Sequence, residues 1–269
     1  MKKVFYSLPL ALPSALGAWA RRRLQMIGDL AGLLVLTLRQ FSALGNPARR
    51  KLCWMLFRRQ LFNTGFRATY VNCILALLLG VALADVALNL VPRMDSFADL
   101  YVIIVIKEAA PILSGVILIA RSATAVTAEI AYLQLHDEFD VLKSQGVNPT
   151  FVFVLPVLLA FPTSLLLMFV YFNTVALLSS WIYFVIAYHS PVTLFTWLDL
   201  IVQRLGLLDY LVMGLKGWIG GSVIGLLSLY AGWQVNNRFT DVSRAISNST
   251  TSLLLFYFSL CVGLSVGAY

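Results

Sequence analysis

"TFVFVLPVLLAFPTSLLLMFVYFNTVALLSSWIYFVIAY", residues 150–188, is a run of 39 residues without Lys, Arg, Asp or Glu. A helix that crosses a membrane needs about 20 apolar residues, so the run predicts at least one span. A single helix of this length would measure about 57 Å, nearly twice the thickness of the hydrocarbon layer. The run is therefore either one overlong helix that reaches into the periplasm or two spans hinged near residues 173–180.

The composition around this run is that of a membrane protein. Hydrophobic residues make up 60% of the 269 residues and charged residues only 12%, whereas about 25% is typical of soluble domains. The long alternation of polar and apolar residues that marks an outer-membrane barrel is absent. The sequence therefore predicts an all-α polytopic membrane protein.

Four further apolar runs flank residues 150–188, at about 68–91, 98–133, 211–235 and 253–269. Charge chooses between the two interpretations of the long run. The loop at 234–252, which carries Arg238 and Arg244, lies inside if 150–188 is one span and outside if it is two. Because positive loops stay inside, we expect five spans, a cytoplasmic N-terminus and a periplasmic C-terminus.

The N-terminal region, residues 1–67, is strongly basic, with twelve Lys/Arg against a single acid, Asp29. Its cationic residues are mixed with Leu, Trp and Phe, which is typical of helices that lie in the membrane interface. We therefore predict amphipathic interfacial helices that precede the spanning domain, residues 68–269. An alternative is that residues 24–44 form a spanning helix.

Lys107 and Glu108 lie about ten residues into the second apolar run and are followed by Pro111. An ionisable side chain inside a span costs several kcal/mol unless it faces a cavity or a partner. One interpretation is that these residues line a pathway for a polar headgroup. The other is that each pairs with a neighbouring helix or reaches the interface.

A charged connector, "EIAYLQLHDEFDVLKSQGVNP" at residues 129–149, separates the second run from the third. It predicts a short amphipathic helix at 134–145, stopped by Gly146, with Pro149 starting the next span. The apolar stripe is Leu135, Phe139 and Leu142, and the polar face is Asp137, Glu138, Asp140 and Lys143. An acidic helix suits a groove on a protein better than an anionic lipid surface.

Glycines recur every four residues in the fourth run, at Gly217, Gly221 and Gly225. Such a ridge lets another helix approach closely, within the protomer or in a second copy. The chain carries no phosphate-binding loop and no zinc-protease motif. We therefore expect no catalysis, no cofactor and no metal on this chain, and no nucleic acid partner.

Residues 107–156, which begin "KEAAPILSGVILIARSATAVTAEI", resemble the signature region of the MlaE/YrbE family, permeases of ABC transporters that work with MCE-domain lipid carriers. "RRQLFNTG" at 58–65 is similar to the family's entry to the first span, and residues 216–233 and 242–260 are similar to its C-terminal half. The resemblance covers about residues 50–269.

This resemblance implies a homodimeric five-span permease in the bacterial inner membrane. Its partners would be cytoplasmic ABC ATPase subunits, which bind ATP-Mg, and a periplasmic MCE-domain protein. Phospholipid would move between the membrane and the MCE carriers, for outer-membrane lipid asymmetry or lipid uptake. A membrane scaffold that anchors these partners without transport is the alternative.

The resemblance also assigns residues to sites. The lipid cavity would lie near Lys107, Glu108 and Pro111. Coupling to the ATPase would fall to Glu129, His136, Asp137, Glu138, Phe139, Asp140 and Lys143.

Overall fold

The computed structural model describes residues 47–90, 94–188, 193–235 and 239–268, together with five isolated positions before residue 47. The interfacial helices expected before residue 47, the alternative span at 24–44 and Arg238 lie outside the described residues.

All regular elements among the described residues are helical. The α-helices are α1 Pro47–Leu61, α2 Arg67–Leu90, α3 Met94–Tyr101, α4 Ala110–Leu118, α5 Thr124–Leu135, α6 Glu138–Ser144, α7 Leu155–Tyr188, α8 Leu194–Val202, α9 Leu207–Trp233 and α10 Phe239–Ala268. Four π-helical segments join several of them without a break, at Phe62–Phe66, Val102–Ala109, Ile119–Ala123 and Thr150–Val154.

Five of the resulting long helices in the described part of the chain are apolar enough to cross a membrane. In chain order, the first to fifth spans are Pro47–Val86, Phe97–Leu135, Thr150–Ala187, Leu207–Trp233 and Thr240–Ala268. The predicted class, an all-α polytopic membrane protein with five spans, is confirmed.

The first span begins at Pro47 rather than near residue 68, because α1 runs through the π-helical segment Phe62–Phe66 into α2. Thr64 and Gly65 in that segment are buried. The segment 47–66, which the sequence placed with the interfacial helices, is thus continuous with the membrane domain. Likewise, the polar residues 240–252 are helical and extend the fifth span.

The run at 150–188 forms one continuous helix. No hinge occurs at 173–180, where Ser179 and Ser180 donate their hydroxyls to the carbonyls of Ala176 and Leu177. These small polar side chains are therefore satisfied inside the helix and do not open a turn.

The third span lies at the centre of the bundle and packs mainly on the first and fourth spans. The fourth span reaches it through the glycine ridge. A Cβ atom at Gly221 would overlap the backbone of Pro162, one at Gly217 would overlap Leu166, and one at Gly225 would lie 3.4 Å from Phe161. The ridge therefore serves a helix contact within the protomer.

Candidate functional site

A cluster of four charged side chains lies where three spans meet. Lys107 and Glu108 belong to the π-helical segment Val102–Ala109 of the second span, and Asp209 and Lys216 belong to α9. Asp209 is in the first turn of α9, so the cluster lies near one end of the bundle.

Two ion pairs connect the second and fourth spans. Lys107 Nζ lies 2.8 Å from Asp209 Oδ1, and Lys216 Nζ lies 3.4 Å from Glu108 Oε1. The fifth span joins through Ser265, whose hydroxyl donates to Glu108 Oε1 at 2.7 Å. The cluster thus ties three spans together through polar contacts.

Burial differs sharply within the cluster. The side chain of Lys216 is 1% exposed and that of Glu108 is 37% exposed, whereas Lys107 and Asp209 are 18% and 7% exposed. The two lysines and two carboxylates give the cluster no net formal charge. Each charge has a partner of opposite sign, which is important because an unpaired buried charge is strongly unfavourable. Glu108 is therefore the member that opens the cluster to its surroundings.

Pro111 explains a further contact of the buried lysine. In an α-helix, residue 111 would donate its N–H to the carbonyl of Lys107, but proline has no N–H. Lys216 Nζ donates to this carbonyl at 2.8 Å. The carbonyl of Pro111 accepts a 2.7 Å hydrogen bond from the buried Tyr257 hydroxyl of the fifth span. Pro111 therefore belongs to the same junction of three spans.

Asp209 also caps its own helix. Its Oδ2 accepts the backbone N–H of Gly206 at 3.0 Å, and an acid in the first turn complements the positive end of the helix dipole. With Oδ1 on Lys107, both carboxylate oxygens are engaged. This fixes the position of the Lys107 ammonium.

Sequence reasoning predicted Lys107 and Glu108 but missed Asp209 and Lys216. The available signal was simple: Lys216 is the one Lys or Arg within residues 207–233, an otherwise apolar helix. A lone charge inside a span requires a partner, and Lys107–Glu108 in the second span was the obvious candidate.

The connector helix predicted at 134–145 is shorter in the structure, where α6 spans Glu138–Ser144. Residues 134–135 belong to α5, which ends at Leu135 before a turn at His136 and Asp137. Asp137, before α6, has φ +53°, in the left-handed region. Gly146, after it, has φ +75°, and the N–H groups of Gly146 and Val147 bond to the carbonyls of Lys143 and Leu142, both at 2.9 Å. This is a Schellman cap, so Gly146 ends the helix as predicted.

The predicted apolar face of α6 packs on the membrane domain through Phe139, which is buried. The ring of Phe139 contacts those of Phe153 in the third span and Trp233 at the end of α9, with centroids 5.8 Å and 5.7 Å apart. Leu142 of α6 is partly buried, and so is Leu135, which was predicted on the same face but is the last residue of α5. The connector is thus anchored to two spans by one aromatic side chain.

The acidic face of α6 is open. Asp137, Glu138 and Asp140 are exposed, and Lys143 pairs with Asp140 at 2.8 Å. His136 and Glu129 are also exposed on this end of the molecule, with His136 Nδ1 2.9 Å from the Tyr132 carbonyl. A groove of about 720 Å³ lies between α6 and Trp233.

These two regions lie at opposite ends of the second span. Glu108 and Leu135, the last residue of α5, are 27 residues apart, or about 40 Å of helix at 1.5 Å per residue. A force applied to α6 can reach the charged cluster along the second span, which includes the π-helical segment Ile119–Ala123, or through Trp233 and the fourth span, which carries Asp209 and Lys216.

Comparison with known proteins agrees with this architecture. The family model of the permease MlaE matches residues 57–266. A probable ABC transporter permease protein of Rickettsia typhi is 23% identical over 221 residues, which cover 81% of this chain and 85% of the relative. A protein of the same description from Rickettsia conorii is 22% identical over 215 residues, covering 79% of this chain and 82% of the relative. An ABC permease works with separate ATPase subunits. The chain belongs to the MlaE family of ABC transporter permeases.

Proposed function

We propose that this permease moves phospholipid between the bacterial inner membrane and periplasmic MCE-domain carriers, as a pair of copies with ATPase subunits that bind ATP-Mg. Its N-terminus would be cytoplasmic and its C-terminus periplasmic, with α6 facing the ATPase. Membership of the ABC permease family supports the ATPase partner. The phospholipid, the MCE protein and the second copy rest on the resemblance of residues 107–156 to the MlaE/YrbE signature.

The observation that carries the proposal is the charged cluster, open at Glu108 inside an apolar bundle. A phospholipid needs polar groups for its headgroup and an apolar surface for its chains. Ile104, one turn before Glu108, and Ile103 are exposed beside the cluster. The same surface therefore offers both kinds of contact.

The internal pairing of the cluster suits a site that must be filled and emptied. Without lipid, each lysine has a carboxylate partner, so no buried charge is left unpaired. A phosphate would compete with these carboxylates for the lysine ammonium groups. Release of the lipid restores the pairs, which lowers the cost of emptying the site.

The geometry of α6 supports its assignment as the coupling helix. It is closed by left-handed residues at Asp137 and Gly146, and Phe139 holds it against Trp233 and Phe153. Movement of a docked ATPase would therefore pass to the second and third spans together, and through Trp233 to the fourth.

The transport proposal predicts that Lys107→Met and Glu108→Gln each reduce ATP-dependent phospholipid transfer by the reconstituted complex. Lys107→Met removes a cation from the headgroup site, which corresponds to about tenfold or more in affinity. Glu108→Gln removes the carboxylate that takes the place of the phosphate on Lys216 when the lipid leaves, so lipid release should slow. The ATPase should still co-purify, since both residues lie far from α6. Arg121→Gln, which also removes a charge from the second span, is the matched control and should retain transfer. Unchanged transfer in both Lys107→Met and Glu108→Gln would refute the headgroup site. It would favour the alternative, a membrane scaffold that anchors its partners without transport.

The coupling proposal predicts that the triple reversal Asp137→Lys, Glu138→Lys and Asp140→Lys loosens the ATPase, because the exposed acidic face becomes basic. Co-purification of the ATPase with affinity-tagged permease measures the effect, and we expect less than a tenth of the wild-type stoichiometry. Asp199→Lys is the control, since Asp199 is exposed on α8, near the opposite end of the bundle. Full stoichiometry in the triple variant would refute the assignment.

A further inference from the structure

A second candidate ligand site lies on the outer face of the bundle, away from both regions above. A groove of about 210 Å³ runs between the first and third spans, beside the π-helical segment Phe62–Phe66. Its walls include Phe62, Phe66, Leu167 and Tyr171, all of them exposed. These side chains face the surroundings of the bundle, so the groove is open to membrane lipid.

The base of the groove holds a buried hydroxyl. Ser164 is 0% exposed, and its Oγ has no hydrogen-bond partner among the described residues. A Cβ atom at Gly65 would lie 3.0 Å from this oxygen, so a larger residue at position 65 would crowd it. Buried hydroxyls are normally hydrogen-bonded. The unused donor therefore points to a partner that the chain does not supply.

The mouth of the groove carries a cation. Arg58 lines it, is exposed and makes no ion pair within the described part of the chain. From Pro47 to Ala84 the sequence contains six Lys/Arg and no acid, the first acid being Asp85. An anion that pairs with Arg58 therefore comes from outside this segment.

The π-helical segment shapes the wall. Such segments insert an extra residue into a helical turn and occur frequently at functional sites. Here the rings of Phe62 and Phe66 stack with centroids 5.1 Å apart, so both stay on one side of the groove. Two stacked rings opposite Leu167 and Tyr171 form an apolar slot suited to an extended hydrocarbon chain.

We propose that this groove holds one acidic phospholipid as a resident ligand, distinct from the lipid that is transported. Its phosphate lies on Arg58, one acyl chain lies between the stacked rings and Tyr171, and Ser164 donates to an ester carbonyl. Arg58 and Gly65 are seven residues apart, about 10 Å along the helix. Because Gly65 lies next to Ser164, one extended molecule can reach both Arg58 and Ser164. The proposal does not depend on the direction or the substrate of transport.

The test is lipid retention by the purified full-length permease complex after incorporation into nanodiscs of phosphatidylglycerol and excess phosphatidylcholine. Native mass spectrometry after detergent transfer counts the lipids retained. We expect one phosphatidylglycerol per protomer, and Arg58→Gln should lower its retention about tenfold. Arg59→Gln is the matched control, because it removes the same charge from the next residue, which does not line the groove. It should retain the lipid.

A second pair of variants tests the slot itself. Leu167→Trp fills the groove and should also abolish retention, whereas Val170→Trp, at an exposed position outside it, should not. Equal losses in Arg58→Gln and Arg59→Gln would show a diffuse basic surface and overturn the proposal. Displacement of the lipid by millimolar glycerol phosphate would show a phosphate site without a chain slot and overturn it as well. Retention of phosphatidylcholine in place of phosphatidylglycerol would also overturn the proposal.

Discussion

Replacing Lys216 with methionine should lower the stability of the permease by about 3 kcal/mol, the low end of the range for a broken buried ion pair. Methionine fills a similar volume but removes the ammonium group that serves Glu108 and the Lys107 carbonyl. We use the low end because Glu108 is 37% exposed and can recover some solvation. Thermal unfolding of the purified protein in detergent measures the change.

A double-mutant cycle distinguishes pairing from packing. If the cost arises from an unpaired carboxylate, Glu108→Gln should recover part of the stability lost in Lys216→Met, because no full charge then remains without a partner. Ser265 can still donate to the glutamine oxygen, as it does to Glu108. Strictly additive losses would show that Lys216 and Glu108 contribute independently.

Replacing Gly221 with alanine should destabilise the fold by about 3 kcal/mol, although alanine favours helices. The added methyl group would overlap the backbone of Pro162, which belongs to the central third span and cannot rotate away as a side chain can. Overpacking of a well-packed core typically costs 1–3 kcal/mol. We expect the upper end here because the obstacle is backbone. The loss should appear as a lower unfolding temperature.

Gly214→Ala is the matched control, because it makes the same chemical change seven residues earlier in α9. A Cβ atom at Gly214 would have nothing within 4 Å. Its effect should therefore be stabilising, by up to about 1 kcal/mol from helix propensity. Opposite signs for the two substitutions are the expected result, and two similar effects would contradict the assigned helix contact.

The spans could be predicted from hydropathy because bilayer thickness imposes a minimum apolar length. The positive-inside rule favoured one span at 150–188, and the structure has one. Helix ends were less predictable. Residues 47–66 and 240–252 are basic or polar, yet they are helical and continue the first and fifth spans. Their composition predicted that they lie outside the membrane helices. Composition does not show where such a helix ends, because polar residues occur in helices as well as in loops.

The charged cluster was only half predictable. Lys107 and Glu108 were conspicuous because they stand together inside an apolar run, but their partners are about 100 residues away in sequence. No local pattern encodes such a pairing, because it depends on which helices pack together. By contrast, the stop at Gly146 was predicted correctly, since a glycine in the left-handed region after a short helix is a local property of the chain.

The π-helical segments have no recognisable pattern in the sequence. Val102–Ala109 reads as an ordinary apolar helix apart from its two charges. The missing N–H of Pro111 is the one local clue, because it frees the Lys107 carbonyl that Lys216 occupies.

We propose that phospholipid lies at the cluster of Lys107, Glu108, Asp209 and Lys216. The most direct test of this proposal is photo-crosslinking of a phospholipid with a diazirine in the headgroup to the purified complex, with the adducts mapped by mass spectrometry. We expect adducts within residues 102–112 and 257–268 that decrease during ATP turnover and are lost in Lys107→Met. Adducts spread evenly over the lipid-facing helices, unaffected by ATP and by Lys107→Met, would contradict phospholipid binding at the cluster.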